Sequence, residues 1–188
     1  MKMPLLLAAL AALALASPAL AETVEEKAAV CAACHGEDGK PGDPAIPAIW
    51  GQHEGYLYIE MRDYKRGDRV DETMQAVVAD LEKPDLQALA AYFAAKPWPD
   101  LQQPRAPQDK ALMAQTTAGS AQCPQCHLGG YLGDGANPRV AGQSRDYLFA
   151  TMNAFRTGAR ANNAWMTALL KTYKDEEIEA LAAYLAGL

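Results

Sequence analysis

Two pentapeptides, CAACH from Cys31 and CPQCH from Cys123, constrain this chain more than any other feature. They use all 4 cysteines and two of the 3 histidines. Other stretches recur in register with them. IPAIWGQHEGYL from Ile46 parallels NPRVAGQSRDYL from Asn137, and LQALAAYFA from Leu86 parallels IEALAAYLA from Ile178. The chain is therefore two copies of one unit of about 80 residues, and whatever one cysteine pair does is done twice.

Each copy reads as helical. Leu57, Met61 and Tyr64 fall at i, i+4 and i+7, and Leu148, Met152 and Phe155 do the same. Gly67 and Gly158 follow these runs where left-handed C-terminal caps belong. Leu86, Leu89, Ala90 and Phe93 make one apolar stripe, matched by Ile178, Leu181, Ala182 and Leu185. Asp85 and Asp175 stand near the starts of those last helices, where a carboxylate suits the helix dipole. No alternating stretch argues for a strand, so the expected class is all-α. Pro97, Pro99, Pro104 and Pro107 exclude helix between the copies and make a semi-rigid, extended connector. The expected organisation is a leader at 1–21, a first domain at 22–96, a Pro-rich linker at 97–107 and a second domain at 108–188. Each unit has few large apolar residues, and units so small commonly need a staple. A large apolar group from outside the amino-acid list is expected in each.

The first 21 residues read as a cleavable secretory leader. Lys2 precedes an apolar run from Leu5 to Leu15, Ser17-Pro18 breaks it, and Ala19-Leu20-Ala21 offers a cleavage site. The run is too short to cross ~30 Å of hydrocarbon. Export to the periplasm follows, with any membrane association expected only through a partner. Charge is unevenly shared beyond the leader. Residues 22–105 carry 16 acidic and 9 basic side chains, whereas residues 106–188 carry 7 of each. Such acidity argues against nucleic acid, whose binders cluster Lys and Arg. An asymmetric field suits orientation of a protein partner, although acidity also keeps an exported protein soluble.

Several chemistries compete for a C-x-x-C. A disulfide suits an oxidising compartment. Zinc would want a separated pair of histidines, whereas His35 and His127 each adjoin a cysteine. A redox dithiol would want a strand–helix context that this chain lacks. Covalent haem attachment is the fourth reading, and C-x-x-C-H is its spacing. Cys31 and Cys34, and likewise Cys123 and Cys126, would bond the porphyrin vinyl groups, with the adjoining histidine on the iron. Two matches in register behind an export leader favour that reading, and it supplies the missing apolar groups: two covalent haem c.

The sixth iron position decides between transfer and catalysis. Met74 lies 39 residues after His35, and Met166 lies 39 after His127. This equality is independent of the cysteine motif. Met61 and Met152 are the competing pair, but their helical spacing marks them as core. The expected ligands are therefore His35 with Met74 and His127 with Met166. His53 has Ser144 as its counterpart and is expected to be an exposed or hydrogen-bonded surface histidine.

With these residues the sequence resembles tandem class I cytochromes c, most of all the cytochrome c4 family. The resemblance rests on CAACHGEDG and CPQCHLGG, PAIWGQ and PRVAGQ, DYKRGDR and AFRTGAR, and the two LAAY helices. It implies that Pro47 and Pro138 offer carbonyls to the second nitrogen of each haem histidine. It also implies that the first and last helices of each domain cross, with the methionine on a loop before the last helix. The cytochrome subunits of flavocytochrome sulfide dehydrogenases are built similarly. The expected function is that of a periplasmic dihaem protein, not itself an enzyme, that carries single electrons between redox partners in a respiratory chain. A terminal oxidase or a flavoprotein dehydrogenase could be such a partner. The alternative is a dedicated electron-accepting subunit of a flavoprotein dehydrogenase. A haem peroxidase-type enzyme would need an open sixth position, and the paired methionines argue against it.

Overall fold

The computed structural model describes residues 22–188, so the expected leader lies outside the described residues. Four helices build the first domain: α1 (Val24–His35), α2 (Glu54–Arg66), α3 (Glu72–Val78) and α4 (Lys83–Ala94). The second has α5 (Gln108–Ser120), α6 (Pro124–His127), α7 (Arg145–Thr157), α8 (Ala164–Leu170) and α9 (Asp175–Ala186), with a 3-10 turn at Gly129–Tyr131. Among the described residues the only strand-type pairing is an isolated bridge between Asp134 and Asn137, so the fold is all-α as expected. No helix among the described residues is long and apolar enough to cross a membrane.

Local chemistry sets the helix ends. Glu26 N–H donates to the Thr23 hydroxyl at 3.2 Å while the Glu26 carboxylate takes the Thr23 N–H at 2.8 Å, which starts α1. Gly67 and Gly158 end α2 and α7 at φ 77° and 80°, the left-handed caps expected from the sequence. The two cysteine motifs differ in backbone. α1 runs unbroken through Cys31 and Cys34 to His35, but its counterpart stops at Ser120 and restarts at Pro124. Pro124 has no N–H, and its ring would press on the Ser120 carbonyl four residues back, so the helix breaks there.

In each domain the first helix packs on the last, α1 on α4 and α5 on α9. Leu57, Leu89 and Phe93 are buried in the first core; Leu148, Phe155 and Ile178 in the second. Fully burying a side chain such as Leu89 or Ile178 contributes ~1.5–3 kcal/mol.

The domains meet through equivalent surfaces. Gln52 reaches across to Arg139, and its counterpart Gln143 reaches back to Ala48, the counterpart of Arg139. This is the pattern of an isologous interface, here within one chain. Ser144 donates its hydroxyl to the Pro44 carbonyl, and the His53 ring bonds the Leu132 carbonyl at 2.8 Å. His53 is thus hydrogen-bonded as expected, but at the domain interface. The linker takes part too. A Cβ on Gly51 (φ 66°) would stand 2.7 Å from the Trp98 backbone nitrogen, and the Arg139 guanidinium lies 4.5 Å from the centre of the Trp98 ring.

Between the domains lies a cluster of charge. Glu60 of α2 binds both Arg69, at 2.7 Å, and Arg160 of the other domain. Arg69 also donates to the Tyr147 hydroxyl at 3.2 Å, and Asn162 donates to Asp63 at 2.9 Å. Burial alone would raise the Tyr147 pKa, but the Arg69 and Arg160 guanidiniums outweigh it and pull it below the ordinary value. Arg69 and Arg160 are repeat counterparts, whereas Glu60 corresponds to Thr151, so one carboxylate serves two guanidiniums.

Candidate functional site: the paired cysteine–histidine motifs

Each motif sits where a helix turns a cysteine inward and a histidine onto a fixed acceptor. Cys31 packs against the first core and Cys123 against the second, while Cys34 and Cys126 are exposed. None of the four is in a disulfide. Burial raises the Cys31 and Cys123 thiols above their ordinary pKa, so these are unionised groups. Among the described residues no three His, Cys, Asp or Glu side chains converge on one point, which removes the closed four-ligand arrangement of structural zinc.

The histidines are held alike. His35 Nδ1 lies 2.8 Å from the Pro47 carbonyl oxygen, and His127 Nδ1 lies 2.8 Å from that of Pro138. A carbonyl can only accept, so Nδ1 carries the proton and donates, leaving the Nε2 lone pair for a metal. Burial lowers both histidine pKa values and outweighs the carbonyl bond, which acts the other way, so the rings are neutral at pH 7.

The methionines also occupy equivalent places. Met74 is the third residue of α3 and Met166 the third of α8. Their backbone N–H groups donate to Asp71 at 2.9 Å and Asn163 at 3.1 Å, the residues capping those helices. The loop implied by the resemblance is thus the first turn of a short helix, because an Asx side chain three residues earlier nucleates it. Met166, like Cys123, packs against the second core, and Met74 is half-buried. Met152 is buried in the second core and Met61 packs against the first, as their spacing predicted.

Thus each domain holds two thiols free to add across vinyl groups, a neutral imidazole with one nitrogen committed and one free, and one thioether of a matched pair. These residues fit covalent haem. Comparison with known proteins agrees: a cytochrome c family model matches residues 26–95 and 111–188. Cytochrome c4 of Thiocapsa roseopersicina is 34% identical over 148 residues, covering 73% of this chain and 76% of that protein. The solved structure of reduced recombinant cytochrome c4 from Pseudomonas stutzeri superposes with TM-score 0.79 at 29% identity, covering 88% of this chain and 96% of that one.

The chain belongs to the cytochrome c4 family. The thiosulfate dehydrogenase electron acceptor of Stutzerimonas stutzeri is also similar, 32% identical over 148 residues, with 73% of this chain and 68% of that protein covered. The cytochrome carries two haem c groups, one at Cys31 and Cys34 and the other at Cys123 and Cys126. Bound haem supplies an iron that changes oxidation state by one electron. It is an electron-transfer protein, and its partners are redox proteins.

Sequence reasoning missed the groups between the two sites: Gln52, Gln143, Glu60, Arg69, Arg160 and Tyr147. Their signal was present, since the GQ pair and the arginine of DYKRGDR and AFRTGAR recur in register. What the sequence lacked was the knowledge that the two copies face each other.

Proposed function

We propose that this cytochrome is a periplasmic carrier that takes single electrons from a dehydrogenase and passes them on within a respiratory chain. Its domains span 22–96 and 108–188, joined by the connector 97–107, and residues 1–21 direct export. The iron ligands are His35 and Met74 in the first domain and His127 and Met166 in the second, with Pro47 and Pro138 orienting the rings. The observation that carries this reading is the duplicated 2.8 Å bond from each histidine to its proline carbonyl. It leaves one nitrogen of each ring for the iron, in the tautomer a ligand needs. Two protein ligands close each iron and favour transfer over catalysis.

A donor that oxidises an inorganic sulfur compound is the second reading, favoured by the likeness to the thiosulfate dehydrogenase electron acceptor. Under it the dedicated-subunit alternative is a partner of thiosulfate oxidation rather than of sulfide oxidation. The domains suit two different contacts. The first carries the acidic excess, whereas the second exposes Trp165 (87% exposed), directly before Met166, where the first has Thr73. The test is stopped-flow reduction of the ferric protein by a thiosulfate dehydrogenase and thiosulfate. The expected result is two electrons taken up per chain at a rate that falls as salt screens the acidic domain. Reduction by dithionite but not by the dehydrogenase would set the sulfur reading aside. A rate indifferent to ionic strength would count against docking on the first domain.

A further inference from the structure

Gln52 and Gln143 are each 3% exposed and lie at the centre of the domain interface. The Gln143 Oε1 atom accepts from Ala48 N–H at 2.9 Å and Ser144 N–H at 2.8 Å, and its Nε2 donates to the Ala48 carbonyl at 2.9 Å. Gln52 mirrors it: Oε1 accepts from Arg139 N–H at 2.9 Å and His53 N–H at 3.0 Å, and Nε2 donates to the Arg139 carbonyl at 2.9 Å. Two N–H donors on each Oε1 fix the orientation of the amide, since a flipped NH2 would face donors only.

Ala48 follows Pro47, and Arg139 follows Pro138. A single peptide group therefore carries two bonds. The carbonyl of Pro47 accepts from His35 at 2.8 Å, while the N–H of the same peptide donates to Gln143 of the other domain at 2.9 Å. The Pro138–Arg139 peptide likewise joins His127 to Gln52. Donation from a peptide N–H shifts electron density onto its carbonyl oxygen, so bonds in such a chain strengthen one another, by roughly 10–30% each. A stronger acceptor on Nδ1–H makes the imidazole a more basic ligand. That favours the ferric state.

We propose that Gln143 sets the reduction potential of the first-domain haem and Gln52 that of the second, each through the peptide that holds the axial histidine across the interface. Both are positioning residues. The proposal rests on the assignment of His35 and His127 as iron ligands. It differs from simple adhesion between domains in one respect: each glutamine acts on the haem that its own domain does not bind.

The test uses the full-length, haem-loaded protein with Gln143→Leu or Gln52→Leu. Potentials are read by spectroelectrochemical titration and assigned to a domain through the hyperfine-shifted ring N–H signals of 15N-labelled His35 and His127. Gln143→Leu is expected to raise the potential of the first haem and draw electron sharing towards it about threefold, roughly 30 mV at 59 mV per decade. Gln52→Leu is expected to do the same for the second. If Gln143→Leu does not accumulate, Gln143→Met has matched length and lacks an amide, and makes the same comparison. Equal shifts of both haems in either variant, or no shift, would overturn the proposal and leave the glutamines as adhesion alone. Absence of any hyperfine-shifted histidine N–H in the parent would overturn the ligand assignment as well, a result the crossed pattern cannot imitate.

Discussion

At Leu128, directly after His127, the second domain holds a side chain where the first has Gly36. Its backbone lies at φ 58°, ψ −176°, a region open essentially to glycine alone and costing about 1–3 kcal/mol for other residues. The residue is 42% exposed. Leu128→Gly is expected to stabilise the protein by about 1 kcal/mol, or roughly 2–4 °C in Tm for a two-domain chain that unfolds in one transition. An unchanged or lower Tm by calorimetry would mean the position is not strained. At this scale the haem cysteines and the core places of Met61 and Met152 were legible, because the repeat doubles every signal, and the equal spacing of Met74 and Met166 singled them out as the proposed ligands. Glu60 was not legible. Nothing in EMRDY distinguishes a solvated glutamate on a helix face from one that binds two arginines from opposite domains.

Among the elements, the two seven-residue helices α3 and α8 matter most, since each presents a methionine in its first turn. Helices so short are held by their caps and by packing rather than by propensity. Asp71→Ala and Asn163→Ala should each cost about 1 kcal/mol. Under the proposed ligation they should also let the neighbouring methionine leave the iron at a lower temperature. Variable-temperature visible absorption checks this, with Asp71→Ala expected to affect one haem and Asn163→Ala the other. Identical thermal loss in parent and variants would show that the caps do not hold the thioethers. Helices α2, α4, α7 and α9 were readable from apolar spacing, α2 and α7 also from their glycine stops, and the non-helical connector from its prolines, whereas α1 and α5 came only with the family resemblance. The first turns around Met74 and Met166 were not assigned as helix, because seven residues give too short a periodic signal. Their Asx caps were nonetheless present in DETM and NAWM. The α5–α6 break was equally visible in Pro124, which the unbroken CAACH motif lacks.

For the whole molecule, Gln52, Gln143 and Glu60 join the two domains across one interface. Sequence comparison within the chain showed two copies but not that they face each other, because an interface is a relation between surfaces and leaves no periodicity. The shared Glu60 carboxylate is its electrostatic centre, with side-chain exposures of 11% for Glu60 and Arg69 and 7% for Arg160. Glu60→Gln would leave two buried guanidiniums facing each other without their counter-ion, at a cost of about 3 kcal/mol. Calorimetry of the haem-loaded protein is expected to show a lower, divided unfolding transition where the parent has one. A single transition at the parent temperature would place the cohesion of the domains elsewhere. The central claim is that both irons are closed by histidine and methionine and so carry electrons rather than activate a substrate. The direct test is the near-infrared sulfur-to-iron band of the ferric protein beside Met74→Ala and Met166→Ala, with carbon monoxide binding to the reduced parent. The account predicts a band that falls by half in each variant and no gas uptake by the parent. A parent that lacks part of the band and binds carbon monoxide would contradict it.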